Sequence, residues 1–102
     1  MKEGRIAVEY SVIDSVFNEV RLRLERVMSE KGDNTYISRH EAFGIISEEY
    51  KELWDELKAG LTNDGASPFD DECMDLLIAC LWHLASKEAY QRLWDSARGK
   101  PQ

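Results

Sequence analysis

The sequence predicts an all-α protein, an antiparallel bundle of three to four helices that completes its core by oligomerising. Three observations carry that expectation. Apolar residues recur at steps of three and four, the period of a helix face rather than of a strand. Serine, proline and glycine fall where helices start and stop. At 102 residues the chain is read as one domain, residues 1–102, and a chain that short buries only a modest core by itself.

The first helix is expected from about Ile6 to Met28, with a stripe through Ile13, Val16, Phe17, Val20, Leu24, Val27 and Met28. Valine and isoleucine favour strands, but the period is not two, so helix wins. The run Lys31-Gly32-Asp33-Asn34 ends it, a glycine just past a lysine. The second helix opens on Ser38-Arg39-His40-Glu41, an S-x-x-E capping box. It continues through an apolar face of Phe43, Ile46, Tyr50, Leu53, Trp54 and Leu57 to a stop at Lys58-Ala59-Gly60. Leu61 to Ala66 reads as a loop. The third helix opens at Ser67-Pro68-Phe69-Asp70, with serine as cap and proline in the first turn. No glycine or proline follows until Gly99, so it is either one long helix or two that break near Ser86-Lys87.

Composition narrows the function. Twenty acidic against 13 basic residues leave a net charge of −7, which argues against nucleic acid as a partner, since that needs a basic face. No apolar run approaches the roughly 20 residues of a membrane span, and the start MKEGRIAVEY lacks a signal peptide's apolar core. A soluble cytoplasmic protein is expected. Cys73 and Cys80 stand two turns apart on a helix, about 10 Å, too far for a disulfide. They read as small buried hydrophobes in a reducing compartment, and no Cys/His set has zinc spacing.

The acids raise the functional question. In Ser47-Glu48-Glu49-Tyr50-Lys51-Glu52-Leu53-Trp54, three glutamates crowd one edge of a helix, which costs stability unless something positive lies between them. At about 100° per residue, Glu49 borders the apolar face, Glu52 and Glu56 lie beside it, and Glu48 faces outward. On the third helix Leu76, Cys80, Leu77, Leu81, Ile78 and Trp82 cover most of the circumference. Only a narrow stripe of Glu72, Asp75, Ala79, His83 and Ser86 is polar or small. A helix this apolar is expected to be buried, so its carboxylates must face another element or a cleft, where bare charge is expensive. Glu49 and Glu52 from one helix and Glu72 and Asp75 from the next make a four-carboxylate pocket. Mg²⁺ or Mn²⁺, which prefer oxygen ligands, would satisfy it.

The arrangement E-x-x-E, an interval, then E-x-x-D resembles the all-α nucleoside triphosphate pyrophosphohydrolases, the MazG-like superfamily that also holds the dimeric dUTPases and dCTPases. Here it is Glu49-Tyr50-Lys51-Glu52 followed by Glu72-Cys73-Met74-Asp75. The phrase HEAFGIISEEYKELWDEL is similar to small MazG-like proteins of phages and bacteria. The resemblance covers residues 38–86. It implies that Glu49, Glu52, Glu72 and Asp75 hold Mg²⁺. It also implies that water attacks a nucleoside triphosphate between its α and β phosphates, releasing a monophosphate and pyrophosphate. Glu48 or Glu56 is then the candidate general base or ligand to a second ion. The metal-free acids would repel a polyphosphate. A homodimer or homotetramer is the expected assembly.

Phosphate clamps remain open among Arg21, Arg23, Arg39, Lys51, Lys58 and Lys87. Tyr50, Trp54 and Trp82 could stack on a base or pack as core. His83 shares the acidic stripe, and His40 lies in the capping segment. The competing reading is a non-catalytic helical interaction or regulatory protein, for example one of phage origin, with a degenerate metal site. A ferritin-like di-metal redox site wants E-x-x-H pairs, and positions 52 and 75 carry Glu and Asp.

Overall fold

The computed structural model of the chain describes residues 4–59 and 68–99. It is all-helical: α1 (Tyr10–Lys31), α2 (Arg39–Lys58) and α3 (Pro68–Ala97), with no strand among the described residues. None of these helices is long and apolar enough to cross a membrane. The chain divides into two compact units, Met1–Asp33 and Asn34–Gln102.

The first unit is built on α1. It begins at Tyr10, four residues later than the sequence predicts. Glu9 is extended, its side chain makes no capping bond, and no acid sits in the first turn. Residues 5–9 carry β-branched Ile6 and Val8 and no Ser, Thr, Asp or Asn, so nothing there nucleates a helix earlier. The end falls where expected. Gly32, at φ +89°, takes a backbone conformation that side chains disfavour, and its N–H donates to the Met28 carbonyl at 2.8 Å.

The second unit pairs α2 with α3. Ser38 caps α2: its Oγ accepts from Glu41 N at 3.1 Å, while Glu41 Oε1 accepts from Ile37 N at 2.9 Å. The capping box therefore forms with one change, the glutamate reaching the residue before the cap. The expected loop Leu61–Ala66, the glycine stop at Gly60 and the Ser67 cap lie outside the described residues. Pro68 takes the first position of α3, where its missing N–H costs nothing.

α3 is one helix, which settles the alternative left open at Ser86-Lys87. Ser86 lies in its interior, 4% exposed. Its Oγ accepts from Tyr36 N at 3.0 Å, and nearby Trp82 Nε1 donates to the Asn34 carbonyl at 2.8 Å. A serine that might have ended the helix is instead the post to which the approach to α2 is tied. The direction of the pair follows from its bonds. Residues 34–36 meet 82–90 of α3, while Glu49, a dozen residues further along, meets Glu72 and Asp75. The helices are therefore antiparallel.

The packed faces differ from those expected. On α2 the covered stripe is Ala42, Ile45, Ile46, Glu49, Leu53 and Glu56, whereas Phe43, Tyr50, Trp54 and Leu57 are exposed. The predicted core face is thus split, with one edge turned inward together with two glutamates. On α3 only Ile78, Ala79 and Ser86 are buried, while Cys73, Leu77 and Leu84 are open to solvent. The expectation of a mostly buried third helix is corrected. So is that of two buried cysteines, since Cys73 is exposed and Cys80 half-buried, both as free thiols. The narrow polar and small stripe of α3, carrying Glu72, Asp75 and Ser86, is the one that meets α2 and its approach. Small side chains such as Ala79 and Ser86 let a neighbouring backbone come close, so a seam of small residues packs where a larger apolar face cannot.

Candidate functional site

The antiparallel register carries the middle of α2 to the start of α3. Glu49 leans in from the covered stripe of α2. Glu72 and Asp75, three residues apart, share one edge of α3. One carboxylate oxygen from each of Glu49, Glu72 and Asp75 lies within 4.8 Å of the other two, and all three side chains are half-buried.

Glu52, the fourth acid of the expected pocket, is exposed and lies outside this trio. It still touches the site through a hydrogen bond with the Glu72 carboxyl. Glu48 is exposed, and Glu56 is half-buried on the covered stripe two turns beyond Glu49; neither joins the trio. The sequence-derived quartet is thus a core of three acids with one flanking acid.

Electrostatics of the cluster centre on Glu72. Its carboxyl is pushed up from 4.5 to about 7, first by loss of solvent, then by the hydrogen bond with Glu52 and the charges of Glu52, Asp75 and Glu49. Its Oε2 is out of solvent and accepts no hydrogen bond among the described residues; Oε2 of Glu49 is out of solvent too. A carboxyl raised in this way keeps its proton into the neutral range, which relieves the crowding. A divalent cation relieves the same crowding with two charges.

The donor set fits such an ion. All ligands are hard carboxylate oxygens. An ion that holds oxygens at about 2.0–2.6 Å draws together atoms about 3–5 Å apart, the separation seen here. Glu72 Oε2 and Glu49 Oε2, both out of solvent and without a hydrogen bond among the described residues, face that need.

Several other candidates are placed elsewhere. Lys51 donates to Asp55 at 3.1 Å and Lys58 lies 3.7 Å from the same carboxylate, holding Asp55 below its ordinary range. Both lysines are therefore occupied on the outer face of α2, with Lys58 also 5.8 Å over the Trp54 ring. Trp82 is structural through its bond to Asn34. Tyr50 and Trp54 belong to the exposed stripe. His40 is exposed in the first turn of α2.

His83, Arg39 and Lys87 gather in a second depression, an open groove of about 920 Å³ between residues 36–39 and the carboxyl half of α3. Reading the sequence missed this groove. It forms because α3 runs on past the start of α2, and the only hint was a stretch from Ile78 to Lys87 without an acid. Tyr36, on its wall, has its hydroxyl pKa raised by burial and by the charges of Glu41 and Glu49.

Comparison with protein-family models, with curated proteins and with solved structures gives no match for this chain.

Proposed function

We propose that the chain is a divalent-metal-dependent nucleoside triphosphate pyrophosphohydrolase of the MazG-like kind, releasing a nucleoside monophosphate and pyrophosphate. One observation carries the reading: acids from two separate sequence motifs converge, through Glu49, Glu72 and Asp75, on one half-buried point. Those three side chains would hold the ion, with Glu52 flanking them through Glu72. An ion bound there, Mg²⁺ or Mn²⁺, neutralises phosphate oxygens and lowers the pKa of a bound water.

In the proposed reaction a water oxygen forms a bond to the α-phosphorus. The bond to the bridging oxygen breaks, and pyrophosphate leaves with the electron pair. A carboxylate would accept the water's proton; Glu48 and Glu56 are the candidates the sequence offers, and neither joins the trio. The exposed stripe of Phe43, Tyr50, Trp54 and Leu57 supports assembly of the chain as a homodimer or homotetramer, because contiguous apolar surface of this kind marks interfaces. The free thiols of Cys73 and Cys80 suit a cytoplasmic setting.

A second reading, a helical interaction protein with a degenerate metal site, is favoured by one observation. Lys51 and Lys58, the cations nearest the acids on α2, are turned to Asp55, so neither of these two lysines is free to clamp a phosphate. One experiment separates the two readings. Pyrophosphate release is measured from a panel of NTPs and dNTPs with Mg²⁺ or Mn²⁺, beside a Glu49→Ala/Glu72→Ala variant, with melting temperature followed in parallel. Release by the native chain alone supports hydrolysis. A metal-dependent rise in melting temperature without release supports the degenerate site. Neither response overturns both.

A further inference from the structure

The groove at the other end of the α2–α3 pair has a chemistry opposite to that of the acid cluster. One residue in five of this chain is acidic, yet none of the groove's lining residues is. Arg39 and Lys87 supply positive charge from its two walls, and neither has an ion-pair partner among the described residues. The nearest acids have their carboxylates already bonded: Glu41 to Ile37 N and Asp95 to Gln91, partners that both line the groove, and Glu88 to Arg92. Tyr36, Tyr90 and Trp94 add aromatic surface, with Trp94 58% exposed as a residue. The Arg98 guanidinium stacks 5.2 Å over that ring, a third cation beside the groove. The first turn of α2, capped by Ser38 Oγ accepting from Glu41 N, borders it at Ser38 and Arg39.

From these features we infer a binding site for a planar aromatic phosphate, of the class and size of a nucleoside monophosphate. The aromatic rings would take the base face, and Arg39 and Lys87 the phosphate. The volume suits a ligand of that size. The acid cluster does not forbid an anion here. Of the cluster, Glu49 is felt at the Tyr36 wall of the groove, whereas from Asp75 to His83, the nearest groove residue on α3, the helix rises about 12 Å, beyond the roughly 8 Å over which charge is felt at physiological salt. The inference is independent of the metal reading and is tested with the acid cluster metal-free.

The full chain, ¹⁵N-labelled and in EDTA, is titrated with AMP, with adenosine and with inorganic phosphate. AMP is expected to shift the Trp94 indole N–H and the amides of residues 36–39. Adenosine or phosphate alone should bind at least about tenfold more weakly, since each keeps only half of the contacts. Arg39→Ala and Lys87→Ala, both at exposed positions, should each weaken AMP about tenfold, while Lys51→Ala should not. Rising salt should weaken AMP and leave adenosine unchanged. Absence of shifts up to about 10 mM AMP, a Kd beyond the weak millimolar range, overturns the inference. So does inorganic phosphate binding as tightly as AMP, or AMP binding unaltered in both variants. An acidic peptide that shifts the groove where AMP does not would assign it to a protein partner instead.

Discussion

The two ends of the α2–α3 pair are made of the same helices and carry opposite electrostatics. At one end Glu49, Glu72 and Asp75 crowd within 4.8 Å, and Glu72 answers by holding its proton up to about pH 7. At the other, Arg39 and Lys87 line a groove with no acid among its described lining residues. The first end is half-buried and short of compensating charge; the second is open and aromatic. Only the acid end is electrostatically frustrated, and frustration retained in a small fold is where a ligand or a switch is worth seeking. The groove end differs: Arg39 and Lys87, with no ion-pair partner among the described residues, stand beside exposed rings.

The largest effect expected of breaking this contrast is on catalysis. On the proposed function, Asp75→Ala removes one of three converging carboxylates and should lower pyrophosphate release by about a hundredfold or more, several kcal/mol of barrier. The same variant should leave AMP shifts in the groove unchanged. Comparable losses in both assays would mean that the two ends are one site.

Next in size is the pH dependence of stability without metal. Folding raises the Glu72 carboxyl from 4.5 to about 7, so the folded chain keeps a proton that the unfolded chain releases. The stability linked to that proton is full below about pH 4.5 and declines as pH rises through about 7. The melting temperature in EDTA should therefore fall between pH 5.5 and 8. Mg²⁺ or Mn²⁺ should restore more of it at pH 8 than at pH 5.5, because at the lower pH the ion must displace a bound proton. Glu72→Gln should flatten both trends; a variant that keeps the full pH slope would place the titration elsewhere.

A smaller effect is expected at the joint between the ends. Ser86→Ala leaves Tyr36 N without its acceptor and should cost about 1–2 kcal/mol in denaturant unfolding, loosening the groove wall more than the acid cluster. Ser38→Ala, which removes the α2 cap, should cost about 1 kcal/mol. Smallest of all, Lys51→Ala breaks only an exposed pair with Asp55 and should change stability by at most about 0.5 kcal/mol.

Local chemistry was legible in the sequence wherever a residue acts on its near neighbours. The Ser38–Glu41 capping box, the Gly32 stop and the Pro68 start are decided within a few residues by hydrogen-bond supply and backbone sterics, and each lies where the pattern puts it. The E-x-x-D spacing likewise placed Glu72 and Asp75 on one helix edge, because 3.6 residues make a turn wherever the helix sits. What helical periodicity lacks is the identity of the neighbour. Phe43, Tyr50, Trp54 and Leu57 look as much like core as Ile45, Ile46 and Leu53 do, and only the angle at which α3 meets α2 decided which edge was covered. That choice fell to the small, polar seam of α3, since Ala79 and Ser86 allow a close approach that the bulkier apolar flank does not. The antiparallel register then drew Glu49 to Glu72 and Asp75, left Glu52 at the rim, and opened the groove at Trp94, contacts between residues too distant in the chain for any local pattern to specify.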